Sequence, residues 1–165
     1  MSAKPDLILS TTPGPHVLQL TLNRASKRNA LNNDLIADLA AACREAALDD
    51  DVRCVVICGS DAFFSAGADI KEMQQRGFEA IDNAARRSAW RDISNFPKPL
   101  VAAVEGVCFG GGHELALLAD IVIAGEGAVF GQPEINIGIL PGDGATQRLT
   151  RVAGKSLAML MILTG

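Results

Sequence analysis

Two carboxylates and a run of glycines are where this chain could do chemistry. In Phe109-Gly110-Gly111-Gly112-His113-Glu114-Leu115-Ala116, three residues without side chains stand at the predicted start of a helix, and Glu114 follows three positions after Gly111. Backbone N–H groups at such a start can reach a ligand oxygen. One strand further on, Phe130-Gly131-Gln132-Pro133-Glu134 supplies a second acid, twenty residues after the first. An oxyanion site beside two carboxylates is what proton transfer next to a carbonyl requires.

Each feature also has a purely structural reading. The three glycines would serve a flexible turn or close helix packing, at ~0.5–1 kcal/mol each relative to Ala in regular structure. Glu114 would stabilise a helix N-terminus, by well under ~1 kcal/mol if exposed. Against this, residues 115–119 are Leu-Ala-Leu-Leu-Ala, so the helix is predicted to be buried, and a buried carboxylate at a site points to function. Glu134 would be a solvated loop acid, held extended by Pro133. His113 reads as a residue that packs or hydrogen-bonds at the helix start rather than one that catalyses.

With 165 residues, 48% hydrophobic and 21% charged, the chain is expected to form one soluble globular domain with a real core. A net charge of −4 argues against nucleic acid or an anionic membrane as partner. Met1-Ser2-Ala3-Lys4-Pro5 lacks the apolar stretch of a signal peptide, and no apolar run approaches the ~20 residues of a membrane span. Cys43, Cys54, Cys58 and Cys108 fall in apolar patterns without a C-x-x-C pair. They read, with Trp90, as core positions in a reducing cytoplasm, and no metal site or disulfide is expected.

Positioning these acids needs a scaffold, and the pattern is α/β. Residues 6–10 and 16–22 read as a strand pair around Thr12-Pro13-Gly14-Pro15, the second alternating Leu18, Leu20 and Leu22 with Gln19 and Thr21. Asn32 or Asn33 can cap a helix with the apolar face Leu35, Leu39, Ala42, Cys43 and Ala46. Residues 54–58 form a short, fully buried strand, 60–67 a loop, and 71–82 a polar, mobile surface segment. A helix over 81–95 stops before Pro97; strands at 100–104 and 121–124 flank a helix over 111–119. Helices over 146–152 and 155–163 meet at Gly154. The spacing of strand-strand-helix units hints at a repeated turn.

Four segments, in order, resemble the enoyl-CoA hydratase/isomerase (crotonase) family. They are Leu22-Asn23-Arg24 leading to Asn29-Ala30-Leu31-Asn32; Phe64-Ser65-Ala66-Gly67-Ala68-Asp69-Ile70-Lys71-Glu72-Met73; Gly110 to Leu115; and Gly131-Gln132-Pro133-Glu134 leading to Gly138-Ile139-Leu140-Pro141-Gly142. The resemblance covers nearly the whole chain and lies nearest to bacterial enoyl-CoA hydratases, including those of fatty-acid and phenylacetate breakdown. It implies a crotonase-like spiral of ββα turns over residues 1–165. Adding water to an enoyl thioester puts negative charge on the thioester oxygen, and the resemblance assigns its two donors to the N–H groups of Ala68 and Gly111. It gives Glu114 the water and Glu134 the α-carbon proton. Coenzyme A, part of the substrate rather than a cofactor, would lie along Ala66, Ala68, Asp69, Ile70 and Lys71, with Arg24, Lys27, Gly111 and Gly142 beside it.

The resemblance further implies a C-terminal helical segment after Gly165 that closes the acyl pocket and builds a homotrimer or hexamer; without it an open, wet site is expected. Asp143 puts a charge beside Gly142 where many relatives have a small neutral residue. Hydration is the first expectation, because isomerase relatives often lack the first of the two acids. Isomerisation of a 3-enoyl-CoA through Glu134 alone, and a non-catalytic acyl-CoA-binding fragment, are the alternatives.

Overall fold

The computed structural model describes residues 6–165; the reading of Met1–Pro5 falls outside them. The chain opens with an antiparallel pair, β1 (Ile8–Gly14) and β2 (Val17–Leu22). The first strand begins later than expected and runs through Gly14, so the reversal falls on Pro15 and His16, the latter with φ of 62°. Asn32 caps α1 (Asn33–Leu48), its side chain accepting from the Leu35 N–H at 3.1 Å. The buried stripe Leu35, Ile36, Leu39, Ala40, Cys43 and Ala46 then faces the core, as the 3.6-residue period requires.

From there the chain repeats one path. A strand enters a five-stranded sheet, the next enters a three-stranded sheet, and a helix leads back. The first turn is β3 (Cys54–Cys58), β4 (Phe63–Ser65), α2 (Ile70–Arg76) and α3 (Ala84–Ser94). The second is β5 (Leu100–Val104), β6 (Val107–Phe109) and α4 (Gly111–Ala116). The third is β7 (Ile121–Ala124) and β8 (Val129–Gly131), followed by a 3₁₀ turn at Pro133–Ile137 and α5 (Ala145–Thr164). The large sheet has the order β1-β2-β3-β5-β7 and the small one β4-β6-β8, parallel throughout except at β1 and β2. This is the expected spiral of ββα turns. Register fixes its core: Leu20 lies opposite Ile57, and Ile57 opposite Ala102, all buried.

Several local expectations are corrected. The strand at 54–58 alternates instead of being wholly buried: Val55 and Ile57 are inside, while Cys54, Val56 and Cys58 are half-buried. The loop at 60–67 contains β4, and β6 and β8 had no signal at all. Each is three residues long, too short for a period of two to show. The polar segment 71–82 is ordered as α2 and a 3₁₀ turn, because Asp69 caps it by accepting from the N–H groups of Lys71 (3.0 Å) and Glu72 (3.2 Å). Helix α3 starts later than expected, at the Asn83 cap. Helix α4 ends at Ala116, since Leu118 and Ala119 bond back three residues to Leu115 and Ala116. Helix α5 is broken at Gly154, with φ of 77°. Cys43, Cys108 and Trp90 are buried, Cys54 and Cys58 half-buried, and all four thiols are free. Burial pushes Cys43 and Cys108 up to about 12, so neither is a nucleophile near neutrality. Among the described residues, no helix is long and apolar enough to cross a membrane.

Candidate active site

Why the sequence needs Asn29 and the Ser65–Ala68 segment becomes clear first. Asn29, fully buried with φ of 51°, donates its amide to the carbonyls of Phe63 (3.0 Å) and Phe64 (3.2 Å). Ser65 Oγ donates to the Asn29 carbonyl at 2.8 Å, and Leu31 N–H to the Gly67 carbonyl at 2.8 Å. The segment after β2 is thereby stapled to the one after β4. Ala68 is delivered to the mouth of the glycine loop.

The glycines do two jobs there. A Cβ on Gly112 would lie 2.6 Å from Ser65 Cβ, so only glycine lets α4 sit on β4. Gly110 has φ of 52°, and a Cβ there would lie 2.8 Å from Oε1 of Glu134. The loop thus needs a bare residue where the second acid approaches. Gly111 N begins α4, and the Ala68 N lies 3.6 Å from where a Gly111 Cβ would stand. Among the described residues, neither amide is matched to an acceptor within the protein.

Glu114 is 2% exposed. Its Oε1 accepts two backbone N–H bonds, from Asp143 at 2.8 Å and Ala145 at 2.9 Å. Burial raises its carboxyl to about 7; the Asp143 and Glu134 charges add to the rise and the two amides oppose it. Glu134 is also raised, chiefly by burial and further by Asp143, against a bond from its own amide. The expectation that Pro133 holds Glu134 extended is corrected. Proline restricts the residue before it, here Gln132 with φ of −126° and ψ of 74°, whereas Pro133 itself starts the 3₁₀ turn that carries Glu134. Fully buried Gln132 lies against the same carboxylate. With its nitrogen toward Glu134 it donates at 3.2 and 3.1 Å, and its oxygen then accepts from His113 Nδ1 at 3.1 Å.

A cavity of about 610 Å³ gathers Ala68, Gly111, Glu114, Glu134, Gly142 and Asp143. Its far wall is apolar at Phe78, Ile81 and Leu140 and charged at Arg86. The remaining candidates fall into two adjoining hollows. Ala66, Ala68 and Ile70 line one of about 200 Å³ with Glu134; Arg24, Lys27, Asp69 and Lys71 line one of about 280 Å³. Within the latter, Arg24 donates to the Ala30 carbonyl at 2.6 Å and to Asp69 at 2.7 Å. Burial alone would raise the Asp69 carboxyl. Arg24 and the amides of Glu72 and Lys71 outweigh it and hold the group below the usual range. Arg24 therefore already has an internal partner, while Lys27 and Lys71 remain the lysines of that rim.

Sequence reasoning missed Arg86, Gln132 and the amides of Asp143 and Ala145. Gln132 could have been found, since it stands in the same motif as Glu134. A backbone amide leaves no residue type to read.

This chain matches the enoyl-CoA hydratase/isomerase family over residues 14–165. It is 52% identical over 149 residues to a 2,3-dehydroadipyl-CoA hydratase of Escherichia coli (strain K12), covering 90% of this chain and 58% of that protein. It is 49% identical over 146 residues to a mitochondrial enoyl-CoA hydratase of Pongo abelii, covering 88% and 50%. A crystal structure of an enoyl-CoA hydratase from Bacillus anthracis superposes with a TM-score of 0.89 at 33% identity, covering 97% of this chain and 63% of that one. Spiral and sequence define the same class of protein. The chain belongs to the enoyl-CoA hydratase/isomerase family, and it spans between half and two thirds of the length of these relatives.

Proposed function

We propose that this chain carries the hydration site of an enoyl-CoA hydratase, adding water across the 2,3 double bond of an enoyl-CoA thioester. The observation that carries the reading is the anchoring of Glu114 by two amides in a cavity shared with Glu134, Ala68 N and Gly111 N. The thioester oxygen accepts from Ala68 and Gly111, which stabilises the enolate as it forms without any mobile charge. Glu114 takes a proton from the attacking water as its oxygen bonds to the β-carbon, and Glu134 gives a proton to the α-carbon. The water's hydroxyl goes to the β-carbon and its other proton to Glu114, while the α-carbon takes the proton of Glu134, so the pair ends with its single proton moved from Glu134 to Glu114. One proton between two acids suits their surroundings: burial raises both, and the charge of Glu134 raises Glu114 further. The coenzyme A moiety follows Ala66, Asp69, Ile70 and Lys71 toward Lys27 and Arg24, and the acyl chain runs toward Phe78 and Leu140. The apolar side chains that β7 and α5 expose, among them Ile121, Ile123, Leu160 and Leu163, support a homotrimer or hexamer as the working assembly.

The test is loss of enoyl-thioester absorbance when the protein is added to crotonyl-CoA or to 2,3-dehydroadipyl-CoA, the substrate in the name of the E. coli relative. Hydration of either supports the reading. Turnover no faster than that of a Glu114→Gln/Glu134→Gln double variant overturns it. Conversion of a 3-enoyl-CoA to its 2-enoyl isomer, without hydration, would assign the isomerase reaction instead.

A further inference from the structure

His113 is almost wholly buried on α4, its ring tilted 53° against Phe130 at 5.1 Å, and it is not among the residues that line the active-site cavity. Its Nδ1 lies 3.1 Å from the carboxamide of Gln132, and that carboxamide lies 3.2 and 3.1 Å from the two oxygens of Glu134. An amide between an imidazole and a carboxylate has two orientations, and they are chemically opposite. In one, its nitrogen donates to Glu134 and its oxygen accepts from His113. In the other, its nitrogen faces Nδ1 of His113 and its oxygen faces the two oxygens of Glu134, where it can accept only from a protonated carboxyl. The imidazole decides between them, because only Nδ1–H rewards the first.

We propose that His113 is a positioning residue for Glu134: its Nδ1–H locks the Gln132 carboxamide as a donor to the carboxylate. This rests on the reading of Glu134 as the acid that exchanges the α-carbon proton. The consequence lies in where that proton can go. A Gln132 amide fixed as donor cannot accept from a protonated Glu134, so the carboxyl proton is left to face the cavity and the substrate. The ionised carboxylate is held in the same place by the same bond. Burial pulls the His113 imidazole down to about 4, with the Gly131 carbonyl facing the ring and opposing this in part. The ring is therefore neutral at working pH, with one donor and one acceptor. The other charges around Glu134 are Glu114 and the Arg86–Asp143 pair, with Asp82 and Arg87 on the same cavity. Among the described residues, the His113 ring has its side-chain partners in Gln132 and Phe130 and is paired with none of these charges, although Glu114 is its neighbour in the chain.

The chain has two histidines, His113 and exposed His16, which makes the test direct. Imidazole ¹⁵N spectra of the histidine-labelled protein should show His113 as the neutral Nδ1–H tautomer at pH 7. An Nε2–H tautomer would turn the amide the other way and overturn the proposal, and this readout needs neither a variant nor activity. With crotonyl-CoA, His113→Leu should lower kcat by about 10-fold or more, less than the ~10²–10⁴ of removing an acid–base group, at nearly unchanged KM. Losing a donor to a carboxylate raises its pKa, so the acidic limb of kcat/KM against pH should move upward. A folded His113→Leu protein with wild-type kcat and pH profile would overturn the positioning role. If the wild-type protein hydrates nothing, the hydratase reading fails, while the tautomer still decides whether His113 orients Gln132.

Discussion

Arg86 Nη2 and Asp143 Oδ2 meet at 2.6 Å at the wall of the cavity, with the arginine side chain 2% exposed and the aspartate 19%. The same Asp143 gives its backbone N–H to Glu114, and its carbonyl accepts from Arg148 at 2.9 Å. The charge that looked out of place beside Gly142 is therefore turned onto α3, and its amide is turned onto an acid. Burial raises the Asp143 carboxyl while Arg86 opposes the rise. Arg86 also stacks over Trp90, 5.6 Å from the ring centre. The pair ties α3 to the loop that holds Glu114, so it couples stability to the geometry of the site.

Removing one partner leaves a buried charge without its counter-ion. Arg86→Met alone should cost about 3–5 kcal/mol, and Arg86→Met with Asp143→Ala much less, because no charge is then stranded. Urea unfolding of the two singles and the double variant measures the coupling. Equal losses in the Arg86→Met single and the double would mean that the pair is not the source of the effect.

The pH dependence of stability should carry the signature of Glu114. Its folded carboxyl stands at about 7 against an ordinary 4.5, so the fold favours the protonated form. That contribution is fully present below about pH 4.5 and is lost as pH rises through about 7. Glu114→Gln keeps an oxygen to accept from Asp143 and Ala145 but has no charge to desolvate. Its melting temperature should exceed wild type at pH 8 and converge with it near pH 5. Parallel melting curves at both pH values would contradict the raised pKa.

How much of this was readable beforehand depended on what each residue does. Glu114, Glu134 and the glycine loop stood out by residue type and spacing, whereas Ala68 entered only through the family resemblance; the fold brings all four to one cavity. The stripe of α1 and the alternation of β2 were legible because six or more residues carry a period. The small sheet was not, since three residues carry none. Asp69 stood in a quoted motif, yet its capping of α2 passed unnoticed, and the polar composition of 71–82 was read as mobility. Arg86 was invisible for another reason. A buried arginine is indistinguishable from a surface one until the aspartate that neutralises it, 57 residues away, is brought alongside.

If the two acids work as proposed, Glu114→Gln and Glu134→Gln should each lower turnover of crotonyl-CoA by ~10²–10⁴-fold with little change in ligand affinity. Steady-state kinetics with a parallel binding titration separates the two quantities. Near-wild-type turnover in either variant would remove that residue from the chemistry.

The amide of Gly111 gives the sharpest test, because in this account its side chain does nothing and its N–H does everything. Gly111 does not have positive φ, and it occupies the first position of α4, where proline is tolerated. Gly110 before it, at φ 52° and ψ −125°, lies outside the helical region that a following proline excludes. A Cβ at position 111 meets only ordinary contacts, 3.6 Å from Ala68 N and from Leu31 Cδ1. Gly111→Pro should therefore fold, with circular dichroism and melting temperature close to wild type, and still lose ~10²–10³-fold in kcat, the usual cost of one oxyanion donor. Gly111→Ala adds a methyl group but keeps the N–H, and should lose far less. If the folded proline variant turns over crotonyl-CoA as fast as the alanine variant, the Gly111 amide does not hold the enolate.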